Sequence, residues 1–158
     1  MSIDIRHLAS DEIELMNALL RTFGEAFNEM TTYTGNPPSP DYLRRLLGGD
    51  SFIALAALRG DDVIGGLAAY ELHKFEQERS EIYIYDLAVH SAHRRQGVAT
   101  ALIEALGTIA ATRGAYVMFV QADTGIEDEP AIALYTKLGT REEVLHFDIL
   151  IEDKKGVA

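Results

Sequence analysis

Ile82-Tyr83-Ile84-Tyr85-Asp86-Leu87-Ala88-Val89, followed after a short turn by Arg94-Arg95-Gln96-Gly97-Val98-Ala99, is the stretch whose interpretation decides the fold. The first run is apolar at nearly every position and rich in branched and aromatic side chains, which predicts a central strand covered on both faces. Asp86 alone breaks that pattern. After the turn His90-Ser91-Ala92-His93 and the basic loop, Val98, Leu102, Leu106 and Ile109 recur at helical spacing up to Gly114. The unit is a strand, a tight loop and a helix.

Working outward, Phe52–Leu58 and Val63–Leu72 are apolar strand candidates joined across Arg59-Gly60-Asp61-Asp62, an antiparallel hairpin ahead of the central strand. Upstream, alternation in Ile3, Ile5 and His7 predicts a first strand, and Ser10 with Asp11 and Glu12 marks a helix start. Met16, Leu19, Leu20, Phe23, Phe27 and Met30 then form one helical stripe ending before Gly35. Ser39-Pro40 opens a second helix that stops at Gly48-Gly49. Downstream, residues 115–121 suggest another buried strand, Pro130 opens a last helix up to Gly139, and residues 142–148 suggest a final strand. The expected order is βααβββαβαβ, an α/β (α+β) fold with a mixed sheet of about six strands and helices on both faces. Residues 1–158 are expected to form one domain, with a frayed charged tail after Leu150.

Composition narrows the function. The chain has 25 acidic against 14 basic residues, a formal net charge of -11, so nucleic acid would be bound against a repulsive average field while a cationic small molecule would be attracted. Acidity for solubility alone explains the same number. Cysteine is absent, which excludes disulfides, cysteine-containing zinc sites and a cysteine acyl-enzyme. Apolar runs fall far short of the ~20 residues of a membrane span, and the first residues lack a signal-peptide profile, so a cytoplasmic protein is expected. The five histidines have no metal-ligand spacing; no metal is expected.

Three places suggest chemistry. The loop from Arg94 through Arg95, Gln96 and Gly97 to Val98, Ala99 and Thr100 puts small residues, two arginines and a helix N-terminus together, as an anion site requires. A basic turn capped by glycine has the same residues. Asp86 carries a carboxylate into an apolar strand, at a cost of several kcal/mol unless it is paired or used. It suits an ammonium that must be bound and relieved of a proton; a buried ion pair or a hydrogen bond to a neighbouring loop is the structural alternative. Asp123, with Glu127, Asp128 and Glu129, makes an acidic cluster suited to a polycation or, for Glu127 and Asp128, to a solvated loop with a helix cap.

The loop, in its place after the central strand, resembles the Arg-x-x-Gly-x-Ala signature of the GNAT superfamily of acyl-coenzyme A transferases. Ala131-Ile132-Ala133-Leu134-Tyr135-Thr136-Lys137-Leu138-Gly139 is similar to the closing motif of that family. Lys74-Phe75-Glu76-Gln77, Ser80-Glu81-Ile82-Tyr83-Ile84-Tyr85-Asp86-Leu87-Ala88-Val89, Val120-Gln121-Ala122-Asp123 and Arg141-Glu142-Glu143-Val144 are more specific, and resemble aminoglycoside 3-N-acetyltransferases of the gentamicin-modifying type. The acidic connection after Asp123 is longer than that pattern has. The resemblance implies acetyl-CoA as cosubstrate, with its pantetheine arm on Leu87, Ala88 and Val89 and its pyrophosphate on residues 94–100. It also implies an aminoglycoside held by Asp86, Asp123 and Glu129, Tyr135 facing the sulfur, direct transfer in a ternary complex, and a homodimer. Another small or protein amine as acceptor, or a non-catalytic coenzyme-binding module, are the alternatives.

Overall fold

In a computed structural model, which describes residues 2–152, five strands form one mixed sheet in the order β1-β2-β3-β4-β5. They are β1 (Asp4–His7), β2 (Phe52–Arg59), β3 (Asp62–His73), β4 (Ser80–Val89) and β5 (Ala115–Val120). The first four are antiparallel neighbours, and β4 and β5 run parallel because the crossover helix α4 (Val98–Arg113) lies between them in the chain. Three further helices stand between β1 and β2: α1 (Ile13–Ala26), α2 (Met30–Thr34) and α3 (Pro40–Gly48). A last one, α5 (Glu129–Leu138), follows β5. Among the described residues no helix is long and apolar enough to cross a membrane. The chain divides into two compact units, Met1–Gln121 and Ala122–Ala158.

Each face of the sheet buries its own core. On one face Val98, Leu102, Leu106 and Ala110 of α4 pack on Ile53, Leu55, Leu67, Ile82 and Ile84. On the other, Met16, Leu19 and Phe23 of α1 with Leu43 and Leu47 of α3 pack on Phe52, Ala54, Ala56, Ala68 and Ala88. Small residues on this second face let the helices come close. A Cβ added to Gly66 would run into the Leu19 side chain and lie 2.9 Å from the Leu55 carbonyl oxygen. The C-terminal end of α4 is tied down by the buried Glu71 carboxylate, which accepts from Arg113 Nη1 at 2.9 Å.

Several expectations are corrected. The first helix does not run to Met30: it ends at Ala26 with Phe27 as its cap, and Asn28 takes a left-handed conformation (φ 53°), which asparagine tolerates better than most residues. Phe27 and Met30 are consequently exposed, and the chain restarts as α2. Ser10 is not the cap of α1; Glu12 holds that position, and its carboxylate accepts from the Ala9 amide and pairs with Arg6 at 2.6 Å. β5 is an outer strand rather than a buried one, with Tyr116 and Val117 exposed. Residues 142–148 are not a strand. A strand exists only through a ladder, and among the described residues 142–148 form none; the regular elements described after Gln121 are α5 and one 3-10 turn, Ile126–Asp128. Polar side chains there bond along the chain instead, Arg141 to Glu143 and His146 to Asp148. The expected tail falls on residues 153–158, outside those described, and residues 151–152 have no regular structure.

Gly66→Ala should force α1 off the sheet, as overpacking costs about 1–3 kcal/mol, and lower the melting temperature by about 3–10 °C. An unchanged melting curve would mean that α1 adjusts freely and that the close approach is not a constraint.

Candidate active site

Two irregularities in β4 build the site. The ladder with β5 ends at the pair Ile84–Val120, so from Tyr85 to Val89 β4 is bonded to β3 alone. The amides and carbonyls of Leu87, Ala88 and Val89 that point away from β3 therefore have no strand partner among the described residues, only the Val89 carbonyl being reached by Arg94 Nε, and they can bond an extended amide-bearing chain laid along them. The second irregularity is a bulge. Ala69 is opposite Ile84 and Ala68 is opposite Asp86, which leaves Tyr85 as an extra residue. Ile82 and Ile84 point to α4, and the extra residue turns Asp86 and Ala88 toward the α1 face.

Past Val89 the chain makes a 3-10 turn (Ser91–His93) and enters α4 through Arg95 and Gly97, both left-handed (φ 61° and 79°). The first helical bond runs from the Ala101 amide to the Gly97 carbonyl, and no side chain caps the end. The amides of Val98, Ala99 and Thr100 are thus donors without a helical partner, at the positive end of the α4 dipole. An arginine in the left-handed region is a strain of the kind that gathers at ligand sites. Arg94 is exposed and leans on the Val89 carbonyl at 3.5 Å. Arg59, from the end of β2, holds the loop from below: its Nη2 donates to Gln96 Oε1 at 2.9 Å and its Nη1 lies 3.5 Å from His93 Nδ1. These donors fit a pyrophosphate.

Asp86 is half-buried, and its Oδ2 accepts a 2.8 Å hydrogen bond from the Tyr33 hydroxyl of α2. Burial pushes its carboxyl up from the ordinary range, and the Tyr33 bond pulls it back in part. Burial and the neighbouring Asp86 push the Tyr33 phenol far up, so that it stays a donor. Tyr70 and Tyr83 are also raised, first by burial and then by Tyr85, with Asp86 contributing to both. No cation is paired with this carboxylate among the described residues. It is a half-open anionic acceptor ringed by phenols, suited to an ammonium that must also lose a proton.

The second unit carries the other expected site residues. Asp123 and Glu129 are exposed, and Asp128 is turned inward, its Oδ2 accepting from the Asp123 amide at 2.8 Å. Tyr135 is half-buried on α5, its phenol raised by burial and then by Asp128, so it holds its proton at neutral pH. Among the described residues no three His, Asp or Glu side chains gather as metal ligands would.

Residues 14–140 match the acetyltransferase (GNAT) family. The chain belongs to that family. GNAT enzymes draw their acetyl group from acetyl-CoA, and this chain is an acetyl-CoA-dependent GNAT N-acetyltransferase. Comparison with curated protein sequences finds none that matches. Among solved structures, the chain is similar to an aminoglycoside acetyltransferase, HMB0005, from an uncultured soil metagenomic sample. The two are 70% identical, with a TM-score of 0.95, over 96% of this chain and 100% of that one; density of unknown nature in the active site of HMB0005 was represented as polyethylene glycol. A second such enzyme from soil, meta-AAC0020, in complex with sisomicin, is 30% identical with a TM-score of 0.86, over 95% and 97% of the two chains. A ribosomal-protein-alanine N-acetyltransferase from Brucella melitensis biovar Abortus 2308, 22% identical with a TM-score of 0.74 over 96% and 100%, shares the GNAT fold.

Within the first unit the expected residues come together: Asp86, Leu87, Ala88 and Val89 on the free length of β4, and residues 94–100 at its end. Sequence reasoning missed Tyr33 and Arg59. The signal for Tyr33 was Asn28, a residue prone to break a helix in the left-handed conformation; nothing in the sequence pointed to Arg59.

Two outcomes follow for this GNAT chain. A carboxyl raised in the folded state stabilises the fold below its unfolded pKa, and that stability is lost as pH rises through the folded pKa. Asp86→Asn keeps an acceptor for Tyr33 and cannot ionise, so it should melt higher than the parent at pH 8 and match it at about pH 4. Equal melting at both would mean that ionised Asp86 carries no burden. At Gly97 a Cβ would meet nothing within 4 Å, so the penalty is conformational, about 1–2 kcal/mol for a side chain in the left-handed region. Gly97→Val should weaken coenzyme A binding about tenfold by calorimetry; unchanged affinity would remove the loop from the coenzyme site.

Proposed function

We propose that the chain, acting as one domain over residues 1–158, transfers the acetyl group of acetyl-CoA to the 3-amino group of an aminoglycoside of the gentamicin type, and so confers resistance. The observation that carries this reading is a half-buried carboxylate, Asp86, with no cationic partner among the described residues, beside the length of β4 beyond its last pair with β5, in a chain 70% identical to an aminoglycoside acetyltransferase. The choice of the 3-position and the homodimer rest on the resemblance of the quoted motifs, and the cytoplasmic setting on apolar runs too short to span a membrane.

Transfer is direct, in a ternary complex. The free edge at Leu87, Ala88 and Val89 bonds the pantetheine arm, and the amides and arginines of residues 94–100 neutralise the pyrophosphate. Asp86 binds the substrate ammonium and accepts its proton, directly or through water. The freed amine attacks the thioester carbonyl: a C–N bond forms, the oxyanion is stabilised by a backbone amide near Val89, and the C–S bond breaks. Tyr135 protonates the departing thiolate, and the proton the new amide nitrogen sheds restores its phenol, directly or through water. Asp123 and Glu129 attract the remaining ammonium groups of a polycation.

Thiol release from acetyl-CoA should be rapid with gentamicin or sisomicin and slow with polyamines and short peptides. Turnover with another amine alone would keep the chemistry and discard the antibiotic; silence with every amine would leave a coenzyme-binding module. Asp86→Ala should lower kcat/KM by about a hundredfold or more while leaving coenzyme affinity intact, and parental turnover would overturn its role. The acid limb of the parent's kcat/KM profile should lie above the ordinary carboxylate range. Tyr33→Phe removes the bond that holds Asp86 down, so the limb should move to higher pH; an unmoved limb would mean that Asp86 is not the group titrating.

A further inference from the structure

A row of five aromatic rings crosses the α1 face of the sheet from β2 to β5. Phe52 and Tyr70 lie 5.4 Å apart between ring centroids, Tyr70 meets Tyr85 edge to face at 5.5 Å, Tyr85 meets Tyr83 at 5.6 Å, and Tyr83 stacks on Phe119 at 4.7 Å with planes 13° apart. Its inner end is core, since Phe52 is 4% exposed, but Tyr70 is 37% and Tyr85 58% exposed. Tyrosines this open on a sheet are costly in apolar surface, and the bulge singles out Tyr85 as the extra residue of β4. Asp86 is its neighbour in the chain. Tyr83 is fixed from the far side, its hydroxyl donating to Gln121 Oε1 at 2.8 Å. Tyr33 closes the opposite side through its bond to Asp86, and Phe23, Phe27 and Tyr33 pack ring against ring behind it.

We propose that Tyr85 and Tyr70, buttressed by Tyr83, are specificity-determining residues that stack a ring of the amino-sugar acceptor and hold its second ammonium over a phenol face while Asp86 takes the reacting one. The inference rests on the aminoglycoside reading and adds to it the surface that selects a cyclic polycation over a linear amine. The occupant is argued from chemistry. Apolar C–H faces of a sugar suit aromatic rings, its ammonium groups suit their negative π-faces, and a carboxylate that has no cationic partner among the described residues stands beside them. Aromatic rings also lose little freedom on binding, which favours a rigid ring over a flexible chain.

The test is kinetic, with sisomicin and spermidine as acceptors for the full chain. Tyr85→Leu should raise KM for sisomicin about tenfold with kcat within about twofold, leave KM for spermidine within about twofold, and keep the parental melting temperature because the side chain is mostly exposed. Tyr85→Phe should restore the sisomicin KM, since the ring and not the hydroxyl makes the contact. Tyr70→Leu should act in the same direction, by a smaller factor. An unchanged sisomicin KM in Tyr85→Leu, with normal turnover of sisomicin, would overturn the platform and leave the antibiotic reading standing. If the parent acetylates no aminoglycoside, that reading fails on its own, and calorimetry decides the platform: sisomicin binding weakened about tenfold by Tyr85→Leu upholds it, and absent or unchanged binding sinks it. The chain has no tryptophan, so quenching of tyrosine emission by sisomicin, lost in Tyr85→Leu, is a second readout.

Discussion

The extra residue at Tyr85 is the constraint on which the site depends. Without it, strict alternation would send Asp86 to the same face as Ile82 and Ile84, into the dry core under α4, where an ionised carboxylate would have no donor. With it, Ile82 and Ile84 keep their place in that core, and Asp86 turns toward α2 and the Tyr33 hydroxyl. The same disruption falls where β5 stops pairing, at Ile84 and Val120, so one region of one strand supplies both the free edge and the carboxylate. A bulge costs ladder bonds, and the sheet tolerates it here because β3 still pairs on both sides of it.

Tyr33 makes the carboxylate affordable and useful together. Burial raises Asp86 and favours its neutral form, while the phenol bond favours the ionised one. A carboxyl between these influences is a stronger base than an exposed aspartate. The bond is formed across 53 residues of chain, and α2, which bears Tyr33, has no buried residue of its own. Its position is held instead by the aromatic contacts of Tyr33 with Phe23 and Phe27, and by the Glu29 amide bonding back to the Gly24 carbonyl. The site therefore borrows rigidity from α1, which in turn lies close to the sheet through Gly66.

How much of this was legible follows from what kind of signal each feature leaves. Hydrophobic period and glycine punctuation located all five strands within a residue or two, and the helix from Val98 to Gly114, because those patterns are local. The strand expected over residues 142–148 failed because alternation states which face a side chain prefers and says nothing of a partner strand. Asp86 stood out as a charge in an apolar run, and the loop at residues 94–100 as glycine with arginines. The bulge did not, since a strand that changes face midway still has an apolar residue at nearly every position. Tyr33 was hidden for the same reason that the first helix was drawn too long: Phe27 and Met30 continue the helical spacing through Asn28, and only the left-handed backbone there breaks it. The two residues missed, Tyr33 and Arg59, act through contacts at long sequence separation, which no window of sequence contains.

The net charge of -11 bears on the coenzyme end as well, because an acidic protein that binds a pyrophosphate must make a local exception to its own field. Arg94 and Arg95 on the loop, with Arg59 beneath, are concentrated where α4 presents its free amides. Asp86 is three residues back along β4 from Val89, about 10 Å at the rise of a strand, which exceeds the ~8 Å Debye length at physiological ionic strength. Opposite charges that close in low dielectric would neutralise each other and leave neither ligand a site. Spaced along one strand, each keeps its own potential: positive where the loop meets the helix, negative where the bulge turns Asp86 toward the tyrosines. The length of β4 beyond its last pair with β5 thus spaces the two potentials as well as offering a hydrogen-bonding edge, and lengthening the β4–β5 ladder would close the edge while leaving the spacing as it is.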